Sequence, residues 1–331
     1  MVFTIIVAII CSVLLILSVL FVPNIKIGKF SIPVYPIAPL LGAIILIIFN
    51  KISLSNVFNG LTSNTAVNPL KILALFISMT ALSVFLDEVG FFAYLAGKVL
   101  KRAKTSQIKL FLSFYLITSI LTVFTSNDII ILTFTPFICY FSKNAKINPI
   151  PYLVSEFVSA NTWSMALIIG NPTNIYLAGS ANINFFEYLK IMALPTLFGG
   201  IVSLALLLLI FKKYLKQGLA EFNEDVKLKN IPLTIIGIFF LGITTVLLAV
   251  SNYVGLEMWL ICVSSAVLLF ITVLFYKLIK REKKTELKET LKRAPWILIP
   301  FVLSMFIIVL TLEKQGVVEK IENSTGTKNK I

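Results

Sequence analysis

The sequence predicts an all-α integral membrane protein, and three observations predict it. Hydrophobic residues fill 58% of the 331 positions and charged residues only 13%, against about half and a quarter in a soluble domain. Mean hydropathy is +0.97. The apolar residues gather in runs long enough for helices that cross a bilayer, which takes about 20 residues each. A soluble enzyme, a nucleic-acid-binding domain and a disordered chain are excluded on these grounds.

The runs lie at about 2–22, 34–49, 72–86, 108–124, 129–141, 150–178, 191–211, 231–250, 257–276 and 296–312. The first has no basic leader and no small-x-small cleavage site, so it reads as a span and not a signal peptide. Two others are unusual. The pair 108–124 and 129–141 is parted by Thr125, Ser126, Asn127 and Asp128. Its second arm is short for a full crossing, which predicts a re-entrant helical hairpin. The run 150–178 is interrupted by Gly170, Asn171, Pro172, Thr173 and Asn174. Proline withholds a backbone donor and glycine loosens the chain, so a broken helix is expected there.

With the hairpin not crossing, eight spans remain. The formal net charge of +14 is then distributed unequally. Loops 23–33, 87–109, 142–149, 212–230 and 277–295 hold 22 of the 29 Lys and Arg residues. Such a bias assigns these loops to the cytoplasm of a cell-membrane protein and both ends of the chain to the outside. Counting the hairpin as two crossings leaves that parity unchanged. The basic excess needs no nucleic-acid partner; the lipid bilayer accounts for it.

A weak internal repeat is present. Ser78, Met79, Leu86 and Gly90 recur as Ser304, Met305, Leu312 and Gly316, and Asp87 recurs as Glu313, all at an offset of 226. Five crossings separate the copies, which predicts an inverted repeat, a common plan in secondary transporters. Counterparts of Asn127 and Asn171 would fall beyond Ile331, so the second repeat is expected to be incomplete, followed by the polar tail 322–330. The predicted organisation is two N-terminal spans (1–70) and a first repeat (71–212). Two linking spans with basic loops (213–293) and the first span of a truncated second repeat (294–331) follow.

The candidate site follows from burial cost. A carboxylate within a bilayer costs at least about 2.5–3.5 kcal/mol on insertion scales. Asp128 at a hairpin tip is therefore a functional candidate, although it can also serve as a plain helix cap. Helix N-termini and freed carbonyls at such a tip can hold an ion. An unwound segment in hydrocarbon is tolerated where it lines a cavity, and the Asn and Thr side chains there offer oxygen ligands. A simple proline kink is the plainer reading. Thr125, Ser126, Asn127, Asp128, Gly170, Asn171, Pro172, Thr173 and Asn174 form the expected substrate or ion site. Asp128 and Glu156 are candidates for proton coupling; Glu156 can alternatively snorkel to the cytoplasmic face. Asp87 and Glu88 are expected to fix a helix end against basic residues.

The chain has no histidine. Cys11, Cys139 and Cys262 are widely spaced, without metal-site or disulfide patterning, and buried packing is expected for them. No cofactor is implied beyond a coupling ion, H+ or Na+. No phosphate-binding Gly-x4-Gly-Lys-Ser/Thr loop and no Gly-x-Ser-x-Gly elbow occurs, so the protein is not expected to be an enzyme.

At these residues the chain resembles a family. Leu86-Asp87-Glu88-Val89-Gly90-Phe91-Phe92 is similar to the end of the third span of arsenical pump membrane proteins, the arsenite efflux permeases. Asn127-Asp128 with Ile131-Leu132-Thr133 and Thr135-Pro136 resembles that family's hairpin, and Asn171 to Ile175 its broken helix. Glu187-Tyr188 with Pro195, and Arg293-Ala294-Pro295-Trp296 with Ser304-Met305, continue the likeness over about residues 70–321. The wider ion transporter superfamily includes citrate and dicarboxylate permeases and sodium/proton antiporters, and Gly170-Asn171-Pro172-Thr173-Asn174 is as similar to the carboxylate branch. The resemblance implies an inverted-repeat secondary transporter fold. It implies movement of arsenite or a similar small anion, driven by a proton gradient or the membrane potential. A sodium- or proton-coupled citrate or dicarboxylate permease is the first alternative. A truncated, transport-inactive half of such a transporter is the second. A homodimer and a separate ATPase subunit are the partners that the resemblance implies.

Overall fold

The computed structural model describes residues 1–27, 30–64, 68–103, 106–125, 127–216, 228–317 and 320. Ser126, the side chain of Asp128 and the polar tail 322–330 lie outside the described residues. The chain divides into two compact units, Met1–Leu73 with Pro295–Ile331, and Ala74–Ala294.

In the first unit, α1 (Val2–Phe21) leads into an antiparallel ribbon of β1 (Asn24–Ile27) and β2 (Phe30–Pro33), with Asn24 opposite Pro33. The short α2 (Ile37–Ile48) and α3 (Leu54–Thr62) follow. The unit closes with α14 (Leu298–Lys314), numbered by its place in the chain. The α1, α2 and α14 helices pack around Val7, Cys11, Ala43, Leu46 and Ile308. Thr4 Oγ1 donates to Gln315 Oε1 at 2.8 Å, tying the start of α1 to the end of α14.

The second unit holds most of α4 (Pro69–Glu88), then α5 (Phe91–Ala103) and the hairpin α6 (Gln107–Phe124) and α7 (Asn127–Asn144). Next come α8 (Ile150–Trp163), a 3-10 turn at Ile168–Gly170 and α9 (Pro172–Ser180). The unit ends with α10 (Phe185–Leu215), α11 (Ile231–Val254), α12 (Met258–Ile279) and α13 (Thr285–Arg293). α8 is the centre of this unit, packed on α6, α7 and α10. An aromatic cluster joins three of these helices. Phe114 lies with ring centroids 6.3 Å from Tyr152, 6.4 Å from Phe134 and 6.1 Å from Phe137.

The described residues contain 7 helices long and apolar enough to cross a membrane, and the protein is accordingly a multi-pass membrane protein. Three expectations need correction. The second hairpin arm has 18 residues, the same as the first. At 1.5 Å per residue each is about 27 Å long, so shortness no longer argues for a re-entrant hairpin. Polar residues at both ends of the apolar run continue the helical hydrogen bonding, which hydropathy does not register. Second, α2 has only 12 residues and is shorter than a bilayer core requires. Third, the broken helix unwinds at 164–171, ahead of the expected 170–174. Pro172 stands in the first turn of α9, where its missing N–H deprives no helical partner.

The segments related by the offset of 226 close alike. Gly90 N–H donates to Asp87 O and Tyr94 N–H to Gly90 O; Gly316 N–H donates to Glu313 O and Lys320 N–H to Gly316 O. Gly90 and Gly316 have φ of 82° and 67°, a left-handed turn that glycine adopts without penalty after a helix. Arg293, ending α13, grips Asp87 through Nη2 at 2.6 Å and Glu88 through Nη1. The two acids thus fix a helix end against a basic side chain, as their sequence position implied.

Candidate functional site

The hairpin tip and the break in the α8–α9 element meet in one hydrogen-bonded network. α7 begins at Asn127, whose Nδ2 donates to Asn161 Oδ1 on the last turn of α8 at 3.1 Å. Asn161 Nδ2 is committed to Phe157 O at 2.8 Å. Its oxygen must therefore face Asn127, and Asn127 must turn its NH2 towards it. Asn127 Oδ1 is left buried with no hydrogen-bond partner among the described residues. Such an orphaned acceptor costs about 1–3 kcal/mol of desolvation, which a bound donor or cation would relieve.

From Asn161 the network runs into the break. Ser164 Oγ donates to Asn161 O at 2.9 Å and accepts from Asn171 Nδ2 at 3.3 Å. Asn171 caps α9, its Oδ1 accepting from Asn174 N–H at 3.0 Å. Asn174, itself buried, donates through Nδ2 to Ser164 O at 2.8 Å and Leu167 O at 3.0 Å. The carbonyls released by the end of α8 are thereby satisfied within the chain. Gly170 permits this approach. A Cβ at that position would stand 2.0 Å from Ser164 O.

Among the sequence-predicted residues, Asn127, Asn171 and Asn174 are brought together, with Gly170 shaping the break. Thr125 is buried, but its hydroxyl is used on Leu121 O at 2.8 Å, closing α6. Thr173 is exposed in the first turn of α9, and Pro172 starts that helix. Ser126 lies outside the described residues, and Asp128 is described only as a backbone position in the first turn of α7. Sequence reasoning missed Asn161 and Ser164, the two residues that link tip to break. The available signal was a polar cluster, Asn161, Thr162 and Ser164, inside an apolar run.

Glu156 does not snorkel. It is 1% exposed, facing α7, where Thr135 Oγ1 donates to Oε2 at 3.0 Å. One further expectation meets the structure differently. Cys11 and Cys262 are buried, but Cys139 is exposed because it lies on the outward face of α7. No group of three or more His, Cys, Asp or Glu residues with metal-site geometry occurs among the described residues.

A family model described as citrate transporter matches residues 13–331. A Bacillus subtilis relative carrying an arsenical pump membrane protein name is 26% identical over 301 residues, 84% of this chain and 65% of its own length. An arsenical pump membrane protein of Escherichia coli K12 is 28% identical over 255 residues, 74% of this chain and 57% of its own. A silicon efflux transporter of rice is 27% identical over 199 residues, 59% of this chain and 39% of its own. The chain spans less than two thirds of the length of each of these relatives.

Proposed function

The chain belongs to the citrate transporter family, and on that premise we propose that it acts as a secondary active transporter in the cell membrane. It moves arsenite or a similar small oxyacid through the junction of hairpin and broken helix, driven by a proton gradient or the membrane potential. Asn127 and Asn171 contact the solute, Asn174 and Gly170 hold the break open, and Asp128 stands beside Asn127 at the start of α7. The observation that carries this reading is the buried, unpartnered Oδ1 of Asn127 beside an interrupted helix. Irregular backbone at membrane depth is stable where it is buried in protein or lines a water-filled cavity, and an orphaned acceptor calls for a ligand that donates hydrogen bonds. Arsenous acid presents three hydroxyls and suits that demand. The arsenical pump names of two relatives favour the same cargo.

The family description favours a second reading, a sodium- or proton-coupled permease for citrate or another carboxylate. Expression of the full gene product in an arsenite-sensitive cell separates the two. Arsenite resistance that disappears in Asn127→Ala and Asn171→Ala, at wild-type membrane levels, is the expected result. Labelled citrate uptake that depends on Asn127 would replace the first reading with the second. Resistance untouched by both variants would remove the junction as the site.

A further inference from the structure

We infer that Glu156, paired with Thr135 one helix away, is a proton-carrying site separate from the hairpin tip. The inference deepens the proposed transport reading by naming the group that couples it. Thr135 lies eight residues into α7 from Asn127, about 12 Å along the helix. The pair therefore sits below the tip, between α7 and α8, and outside the asparagine network.

Three observations carry it. The Glu156 carboxyl is 1% exposed. One oxygen has the Thr135 hydroxyl, and the other, Oε1, has no partner among the described residues. No Lys or Arg pairs with it there. On the helices packed against α8, Lys109, Lys143, Glu187 and Lys190 are exposed, Tyr115 is bonded to Gly200 and Ser203, and Tyr152 on α8 itself is bonded to Gln107. The Asp128 side chain on α7 is outside the described residues.

A carboxylate in this setting lacks the countercharge that a buried ion needs. A proton neutralises it without calling for any further ligand. Uptake converts the carboxylate to a neutral carboxyl. Release restores the charge, and with it a strong drive to move α7 relative to α8 or admit water. Both forms are reached by moving one proton, with no other reactant. Ser155 and Ser159 lie on the same buried face of α8, and Ser155 Oγ is also unpartnered among the described residues.

The test is pH-difference infrared spectroscopy on the full gene product in lipid bilayers. A carboxyl C=O band that appears and disappears with pH is expected in the wild type, lost in Glu156→Gln and retained in Asp128→Asn. Thr135→Val keeps the carboxyl and removes its hydroxyl donor, so its band should move to higher frequency; this variant serves if Glu156→Gln fails to fold. A band that persists in Glu156→Gln, or one unmoved in Thr135→Val, overturns the assignment. The readout does not depend on cargo. If Asn127→Ala leaves resistance intact while the Glu156 band behaves as stated, the transport site is wrong and the proton site stands.

Discussion

Substituting Gly170 with alanine should unlock the break between α8 and α9. The added Cβ would stand 2.0 Å from Ser164 O, 2.8 Å from its carbonyl carbon and 3.0 Å from its Cα, all backbone atoms. Carbon and oxygen must part by about 1 Å or more to reach a tolerated contact, and no rotamer change can supply this. Overpacking of this kind costs about 1–3 kcal/mol. Ser164 O is also the acceptor for Asn174 Nδ2 at 2.8 Å, and the displacement breaks that bond. A buried amide deprived of an acceptor costs about another 1–3 kcal/mol, so the substitution should destabilise by about 2–6 kcal/mol. Gly242 is the control. It lies within α11 with nothing within 4 Å of an added Cβ, and alanine there should stabilise by about 0.5–1 kcal/mol. Denaturant titration of both variants in one detergent, followed by arsenite resistance in cells, is the assay. If Gly170→Ala unfolds at the same denaturant concentration as Gly242→Ala, Gly170 is not held by this contact and the described course of the break is wrong.

Three further outcomes follow from the contacts. Asn161→Ala removes the link between hairpin tip and break, so transport should fall by about tenfold or more, corresponding to about 1.4 kcal/mol; unchanged transport at normal expression would sever the two halves of the proposed site. Arg293→Lys loses the fork that holds Asp87 and Glu88 together; because Arg293 is partly exposed, the cost should be about 1 kcal/mol, and a double-mutant cycle with Glu88→Gln should show coupling. Lys277 is nearly buried between Glu282 and Glu286 at 2.9 Å each, so Lys277→Met should destabilise by about 2–3 kcal/mol and regain most of it when both acids become glutamine; failure of the triple variant to recover would mean that the methylene stem, not the charge, holds this corner.

The sequence made the membrane architecture legible because hydropathy reports which segments leave water, and ten apolar runs reappear as helices or helix pieces. It did not show where each helix starts and stops. α7 begins at Asn127 and ends at Asn144 because the helical backbone runs on through polar residues beyond the apolar run, which hydropathy does not register. α3, α5 and α13 escaped notice because short amphipathic or partly basic helices carry no long apolar run. The Arg293 clasp joins residues 206 apart in sequence, a pairing that no local pattern contains. The site was half legible for the same reason. Asn127, Asn171 and Asn174 are conspicuous as polar residues in apolar surroundings, whereas the roles of Asn161 and Ser164 depend on which helix stands opposite.

The displaced break changes what the proposed site could recognise. Had residues 170–174 been unwound, the site would offer free carbonyls and loose asparagine amides, a set that coordinates a bare cation. Instead α9 is already helical from Pro172, and Asn174 takes up the carbonyls of Ser164 and Leu167. The unsatisfied group that remains in the network is an acceptor, Asn127 Oδ1. An acceptor repels a fully ionised carboxylate and attracts a hydroxyl. On this ground the carboxylate groups of ionised citrate find no partner in this amide oxygen, whereas the hydroxyls of an oxyacid carrying its protons, or a bare cation, do.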